Sequence, residues 1–365
     1  EELKNVSECV INGWISSAGK FVTQFEEKFA SFCGTQHAIA VSNGTVALHL
    51  GLVALGIGPC DQVIVPSLTW ISSANAIVHA GAEPIFVDSN IETWNLDPSE
   101  IRKAITKKTK AIMPVHLYGH PAEMGEIIKL AEKHDLYVIE DAAEAHGATY
   151  TGQKTGSIGK IGCFSFYGNK IITTGEGGMI VTNDSELAAK IRCLRDHGKS
   201  HENPLLHSMI GFNYRLTNLQ AGVGVGQMTK IEEILADRKK TANFYDKELS
   251  KISGITLPPR KENSRNAWWL YSVLLTEDNE NVLRDQIIEE LKKQKIETRP
   301  VFKPIHQQPA YLPNNYFLPN ADWIGARGIS LPTPSRYDEL FLKQVVREFK
   351  SALASLRTKH LNSRV

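Results

Sequence analysis

The sequence has little of what marks secreted, membrane or nucleic-acid-binding proteins. Its 365 residues include five widely spaced cysteines with no CxxC pair and no His/Cys cluster of zinc-ligand spacing. An odd number of scattered cysteines indicates free thiols in a reducing compartment. No apolar run reaches the roughly 18 residues that span a bilayer, and a net charge of +1 is too small for the basic face that binds nucleic acid. The chain opens with Glu1 and a polar segment, so we expect no signal peptide and a cytoplasmic protein that acts on a small molecule.

What the sequence does contain is an alternation of short apolar strands and helices. Predicted strands occupy 37–42, 62–66, 83–88, 111–119 and 137–142, and two more lie in GCFSFYG and GGMIVTN. Near-continuous apolar strands separated by helices are typical of a mostly parallel sheet covered on both faces. We therefore predict an α/β fold.

The pattern changes after about residue 218. A long helical stretch is predicted over 218–249, followed by a strand at 268–275, a helix at 281–295, a Pro-rich segment and a closing helix near 337–357. We therefore predict a large domain over residues 1–240 and a smaller α+β C-terminal domain over 241–365.

Polar residues follow two of the predicted strands. Asn43-Gly44-Thr45 lies between a strand and a helix, where exposed N–H groups and the helix dipole favour an anion, although a plain helix cap has the same sequence. Asp141 ends an apolar strand, which is where ligands bind in open α/β sheets. It is either a helix cap or a buried anion paired with a cationic nitrogen of a ligand. Glu144 and His146 follow, and either can lie at the surface or support the site.

The stretch FSFYGNKIITTGEGG, residues 164–178, puts Lys170 at the end of an apolar strand. One interpretation is a solvated lysine in a glycine-rich hairpin. The other is a lysine in a cleft, where burial lowers its pKa and makes the amine a nucleophile that forms a Schiff base. Pyridoxal phosphate uses such a lysine, an acidic partner for its ring nitrogen and a phosphate-binding helix start. Asp141 and the Gly44–Thr45 turn supply the other two elements, and the Ser165 hydroxyl is a further candidate phosphate ligand.

Motifs of other cofactor classes fail on inspection. GSIGKIG, residues 156–162, has the wrong spacing for a phosphate-binding P-loop and has Ile161 where Ser or Thr is needed. GVGVGQ, residues 222–227, lacks the third glycine of a dinucleotide fingerprint, and neither HExxH nor GxSxG occurs. The residues therefore favour pyridoxal phosphate over a nicotinamide, and no metal site is predicted.

Five ordered segments resemble the nucleotide-sugar aminotransferases of the DegT/DnrJ/EryC1 family: SNGTVALHL, VPSLTW, EDAAEAHGA, FSFYGNKIITTGEGG and GFNYRLTNLQAG. The resemblance extends from about Trp14 to beyond residue 340. It implies the type I pyridoxal-phosphate aminotransferase fold, with pyridoxal 5'-phosphate bound by the large domain.

The resemblance also implies a role for each matching residue. Lys170 would bind the cofactor covalently and later move a proton between cofactor and sugar, while Asp141 would keep the pyridine nitrogen protonated. The other implied cofactor-binding residues are Trp70, which stacks on the pyridine ring unless it is only a hydrophobic plug, Glu144 near the phenolic oxygen, and Gly44, Thr45 and Ser165 at the phosphate.

Two further positions bear on partners. Asn213, in GFNYR, matches a residue that reaches the phosphate of the neighbouring subunit's cofactor, which implies a homodimer with shared active sites. Arg215 would bind the phosphates of the substrate or form an interface salt bridge.

The residue at position 170 also predicts the reaction. One branch of the family has His there and dehydrates its substrate, so lysine favours transamination over dehydration or racemisation. A non-catalytic, cofactor-binding regulator is the alternative from another class, and the presence of Lys170, Asp141 and Ser165 together disfavours it.

The segment ETRPVFKPIHQQPAY, residues 297–311, resembles members that use L-glutamate to aminate C4 of GDP-4-keto-6-deoxymannose to GDP-perosamine. Arg299 and His306 would face the sugar, or would instead pin this loop to the core. Lys303 departs from the expected aromatic residue. TDP- and UDP-linked 4-keto sugars and an oxidised octulosonic acid are therefore alternative substrates.

Overall fold

The computed structural model describes residues 1–200, 203, 205–276 and 280–362. The helices are α1 (Glu2–Ile11), α2 (Lys20–Cys33), α3 (Gly44–Ala54), α4 (Ser72–His79), α5 (Pro98–Ala104), α6 (Met124–His134), α7 (Ser185–Arg195), α8 (Asn218–Met228), α9 (Ile231–Leu249), α10 (Glu280–Lys293), α11 (Pro319–Arg327) and α12 (Glu339–Asn362). The strands are β1 (His37–Val41), β2 (Gln62–Pro66), β3 (Glu83–Val87), β4 (Thr109–Ile112), β5 (Tyr137–Asp141), β6 (Thr149–Tyr150), β7 (Gln153–Lys154), β8 (Ile161–Ser165), β9 (Gly178–Thr182), β10 (Ile255–Thr256), β11 (Ser264–Arg265), β12 (Tyr271–Leu275), β13 (Arg299–Pro300) and β14 (Gly328–Leu331).

The large sheet has seven strands in the order β1-β9-β8-β5-β4-β2-β3. Only β9 runs against its neighbours, β1 and β8, and the other pairs are parallel. The prediction of an α/β fold with a mostly parallel sheet is therefore confirmed. Because β1, β2, β5 and β8 share one direction, their carboxyl ends meet at one edge of the sheet, where ligands bind in this architecture.

The C-terminal part forms a second, antiparallel sheet in the order β10-β12-β14-β13. Helices α9, α10 and α12 pack on this sheet and form a hydrophobic cluster with it. The buried residues of this cluster all follow residue 241. Val301, Ile305 and Ile324, however, belong to the core of the large sheet. The domain division at residue 240 stays a prediction.

The amino-terminal helix packs against a helix that lies far along the chain. Asn5 donates a hydrogen bond from Nδ2 to the carbonyl oxygen of Gly222 on α8, across 217 residues of sequence. Glu2 of α1 accepts hydrogen bonds from Gln227 and Lys230. α1 thus extends the core of the large sheet, which also contains Cys9.

Several predicted elements are longer in the sequence pattern than in the structure, as β12 is, which begins at Tyr271 and not at Trp268. The helical run over 218–249 is two helices: α8 ends at Met228, and the hydroxyl of the following Thr229 donates a hydrogen bond to the carbonyl oxygen of Gly226. The predicted strand over 111–119 ends at Ile112, because Pro114 cannot donate to a ladder and Tyr118, at φ +54°, turns the chain into a short 3-10 helix.

Among the described residues, no helix is both long enough and apolar enough to cross a lipid bilayer.

Candidate active site

The carboxyl edge of the large sheet brings together most of the predicted site residues. Gly44 and Thr45 begin α3 after β1, Asp141 ends β5 and Ser165 ends β8. Lys170 lies on the loop between β8 and β9. Residues separated by more than 120 positions therefore line one cleft.

The start of α3 forms the anion-binding corner of this cleft. Asn43 caps the helix by accepting a hydrogen bond from the N–H of Val46 at 3.0 Å, which leaves the N–H groups of Gly44 and Thr45 at the open helix end. A Cβ atom at position 44 would lie 2.8 Å from the Cβ of Ser165. Only glycine therefore lets the helix start approach the Ser165 hydroxyl this closely.

Asp141 is a buried carboxylate without an ion-pair partner among the described residues. Its Oδ2 accepts a hydrogen bond from the Ser73 hydroxyl at 2.7 Å, and its Oδ1 accepts one from the N–H of Ala143. Burial raises the pKa of Asp141 despite these hydrogen bonds and the nearby Lys170 charge. A cationic ligand atom at this position would remove the cost of burying the charge.

The neighbouring Glu140 has a different, structural environment. Its carboxylate lies 2.9 Å from Nε2 of His116 and accepts hydrogen bonds from the N–H groups of Gly156, Ile158 and Gly159. Successive strand residues point to opposite faces of a sheet. The alternation of β5 thus assigns Glu140 to the support of the sheet and Asp141 to the cleft.

Lys170 is largely buried, with 11% of its side chain exposed, and lies beside a second carboxyl group. Its Nζ lies 3.8 Å from Oε1 of Glu144 and 3.7 Å from the ring centroid of Trp269. Burial lowers the pKa of Lys170 and raises the pKa of Glu144 to about 7, while the attraction between the two groups opposes both shifts. The amine is therefore easier to deprotonate than a solvated lysine.

Four aromatic rings form a cluster along the mouth of the cleft. Tyr118 stacks on Phe302 at 5.1 Å and on Trp269 at 6.1 Å between ring centroids, and Phe302 contacts Trp70 at 5.7 Å. The Tyr118 hydroxyl accepts a hydrogen bond from the N–H of Phe302 at 2.8 Å. Trp70 is 59% exposed, so much of its side chain is open to solvent.

Comparison with known proteins identifies this arrangement. The profile of the DegT/DnrJ/EryC1/StrS aminotransferase family matches residues 1–350. The chain belongs to this family. It is 47% identical over 350 residues to the GDP-perosamine synthase of Caulobacter vibrioides, covering 95% of this chain and 94% of that protein. It is 44% identical over 355 residues to the GDP-perosamine synthase of Escherichia coli O157:H7, covering 96% of each. The X-ray structure of the aminotransferase from Psychrobacter cryohalolentis superposes with a TM-score of 0.91 at 35% identity, covering 98% of this chain and 97% of that one.

Membership in the DegT/DnrJ/EryC1/StrS family confirms the resemblance seen in the sequence and makes the chain a sugar aminotransferase. The assignment of particular residues to cofactor and substrate is not tested by this similarity. Those roles stay predictions, and the geometry of the remaining candidates bears on them.

Asn213 and Arg215 of this aminotransferase are joined to each other. Arg215 donates from Nε to Oδ1 of Asn213 at 3.0 Å and from its terminal nitrogen to Oδ1 of Asp196 at 2.7 Å. Asn213 is exposed. Within the chain, Arg215 is therefore engaged by an intramolecular ion pair, and the Nδ2 group of Asn213 is available to an external acceptor.

His306 and Arg299, the two residues predicted to face the sugar, differ in burial. His306 is buried, with Nδ1 2.7 Å from the Ser67 hydroxyl and Nε2 3.1 Å from Oδ1 of Asp322. This geometry fits the alternative in which His306 pins the Pro-rich loop to the core. Arg299, on β13, is exposed and forms an ion pair of 2.6 Å with Glu297, which precedes the strand.

Three residues of the site were not found from the sequence. Ser73 binds Asp141 from the first turn of α4, Trp269 lies under the Lys170 amine, and Tyr118 donates its backbone N–H to Glu144. The paired tryptophans at 268 and 269 are a signal that could have been followed, because two large rings cannot both face one core from consecutive positions. Ser73 and Tyr118 carry no such signal.

Proposed function

We propose that this aminotransferase uses pyridoxal 5'-phosphate to move an amino group from L-glutamate to the C4 keto group of GDP-4-keto-6-deoxymannose, which gives GDP-perosamine. The observation that carries the chemistry is the largely buried Lys170 amine near the buried Asp141 carboxylate at one edge of the sheet. Asp141 has no ion-pair partner in the part of the chain that the structure describes. The choice of sugar rests on the 47% identity to a protein named GDP-perosamine synthase.

The residues at the sheet edge fit pyridoxal phosphate part by part. The open start of α3 and the Ser165 hydroxyl suit the phosphate. Asp141 suits the protonated ring nitrogen, because a buried carboxylate gains most from an adjacent cation. The exposed Trp70 side chain suits the pyridine ring, and Glu144, next to Lys170, suits the phenolic side.

The protein itself supplies the group that moves the proton. When bound, pyridoxal phosphate provides an electron sink for the carbanion left after a proton is removed. Because burial lowers the pKa of Lys170, its neutral amine can accept the Cα proton of L-glutamate as a general base. The Glu144 carboxyl, 3.8 Å from Nζ, then holds the ammonium in position. Lys170 delivers the proton to the sugar carbon from that same side, which fixes the configuration at C4.

A spectral titration of the full chain tests this function. L-glutamate should abolish the visible absorption band of protein loaded with pyridoxal phosphate, and GDP-4-keto-6-deoxymannose should restore it, because one site serves both half-reactions. TDP- and UDP-linked 4-keto sugars and an oxidised octulosonic acid are the controls. Restoration by one of these alone would refute the GDP sugar and keep the aminotransferase. No response to any amino donor would refute the transfer itself.

We further propose that the chain acts as a homodimer in which Asn213 donates its amide to the cofactor phosphate of the partner subunit. Asn213 is exposed, and its Oδ1 is held by Arg215, which turns Nδ2 outward. Large apolar side chains are also exposed on α1 and on the 205–210 loop, where Ile11 is 81% and Ile210 is 94% exposed. Such exposure in a monomer is typical of a surface that a second copy covers.

The dimer predicts two measurements. Light scattering should give twice the monomer mass of 40.5 kDa, and Asn213→Ala should weaken pyridoxal phosphate binding about tenfold, as expected for a lost hydrogen bond to a charged group. Asn243→Ala, which removes another exposed amide, is the matched control. A monomer that binds the cofactor with full affinity would contradict the proposal.

A further inference from the structure

Two consecutive tryptophans, Trp268 and Trp269, point into different cores. Trp268 stacks on Tyr271 at 6.0 Å, carries the Arg260 guanidinium 4.4 Å from its ring centroid and belongs to the C-terminal hydrophobic cluster. Trp269 belongs to the core of the large sheet. Trp268 has a φ of +56°, which turns the chain between the two rings. Both side chains are almost fully buried.

Trp269 contacts the Lys170 loop in two independent ways. Its Nε1–H donates a hydrogen bond of 2.8 Å to the carbonyl oxygen of Asn169. Its ring centroid lies 3.7 Å from Nζ of Lys170, so the amine sits on the face of the indole. The indole face carries negative potential and attracts a cation, most strongly for tryptophan among the aromatic residues.

The ring is itself held in place. Trp269 stacks on Tyr118, with an angle of 19° between the ring planes, and lies 6.3 Å from Phe302. Stacking on one side and the Nε1 hydrogen bond on its edge leave the indole few alternative orientations. The face under Lys170 is therefore preorganised rather than adjusted to the amine.

Titratable groups of the site also bear on the charge of the Lys170 amine. Glu144 and Asp141 are the acidic groups that favour the ammonium form. His146 is fully buried, and burial lowers its pKa to about 3, so it stays neutral. Tyr118 is neutral as well, since burial raises its pKa. The indole face thus favours the ammonium form of Lys170, as the two carboxyl groups do, but without carrying a charge.

We propose that Trp269 is a positioning residue for Lys170: its ring face stabilises the ammonium form of Nζ, and its Nε1–H fixes the loop that carries the lysine. This inference rests on the proposed role of Lys170 as the residue that accepts and returns the proton. The ammonium is the form that exists between those two steps, and a carboxyl group 3.8 Å away does not fix its direction. The ring keeps the protonated amine in the cleft between acceptance and return.

The experiment measures the Lys170 pKa directly in the cofactor-free full chain. The rate at which acetic anhydride labels Lys170, followed by peptide mass spectrometry, is recorded against pH, because only the neutral amine reacts. Trp269→Leu removes the ring face and should lower the pKa of Lys170 by about one unit. Trp269→Phe keeps a weaker face and should lower it by about half as much, so the inference is testable even if the leucine variant does not fold.

Trp268→Leu and Trp268→Phe are the matched controls, since they make the same changes one residue earlier and also remove a cation–ring contact. They should leave the Lys170 pKa unchanged. A Lys170 pKa that is unchanged or raised in both Trp269 variants would overturn the proposal. The labelling experiment needs neither cofactor nor sugar. Its result is therefore independent of whether the spectral titration supports the proposed amino transfer.

Discussion

Lys170→Ala is expected to abolish amino transfer, with a loss in kcat of at least about a thousandfold, while the protein stays folded. The substitution removes the nucleophile and the proton carrier in one step, and such groups each contribute several orders of magnitude. Lys170 is a loop residue beside Glu144 and Trp269, and it contributes no strand or helix packing. The measurements are turnover of the sugar substrate, the visible absorption band of the bound cofactor, and circular dichroism.

A matched control exists just before β8, the strand that precedes the Lys170 loop. Lys160 directly precedes β8 and pairs with Asp184 at 2.7 Å on the surface. Lys160→Ala makes the same chemical change without touching the cleft, so turnover should stay near that of the wild type. Comparable turnover in Lys170→Ala and Lys160→Ala would exclude a covalent role for Lys170.

Asp141→Asn is expected to lower kcat by about a thousandfold, a loss typical of removing a preorganised charge from a transition state. Asparagine keeps the shape and can still accept the hydrogen bond from Ser73, but it cannot keep a ring nitrogen protonated. Ser73→Ala should give a much smaller loss, because the charge remains and only its orientation is relaxed. Turnover and the pH dependence of the cofactor absorption band measure both effects. Equal losses in the two variants would argue that Asp141 acts only through its position.

The same substitution should have the opposite effect on stability. Burial raises the pKa of Asp141 in the folded protein, so ionisation of this group disfavours folding. The cost is absent below the pKa of the unfolded state, near 4, and is present in full above the pKa of the folded state. Cofactor-free Asp141→Asn should therefore unfold at a higher temperature than the wild type at pH 7. The difference should shrink as the pH falls toward 4, as differential scanning calorimetry can measure.

Lys170 and Asp141 could be predicted as site residues from the sequence, because the ends of apolar strands are easy to recognise. Apolar runs locate β5 to within one residue and the start of β8 to within one residue, and the polar residues that follow lie at the carboxyl edge of a parallel sheet. The end of β8 was predicted three residues too late, so Lys170 lies on the following loop and not at the strand end. The start of α3 was equally visible, since Asn43 and Gly44 are typical of a helix start.

Other features depend on contacts between distant segments and left no local signal. The break between α8 and α9 contains no proline, and the glycine-rich α8 packs closely against a distant segment. A Cβ atom at position 224, for instance, would lie 2.7 Å from the Phe25 ring. The burial of His306 between Ser67 and Asp322 likewise arises from three separate segments. Local periodicity cannot encode such an encounter.

The contact between the first helix and α8 has a consequence for how the protein is made. The hydrogen bond from Asn5 to Gly222 joins residues 217 positions apart. At roughly 5–20 residues per second, the ribosome needs about 10–40 s to synthesise the intervening chain. During that time α1 has emerged without its packing surface, and its apolar side chains are open to other nascent chains or to chaperones. The core that α1 completes therefore cannot form until α8 has been synthesised.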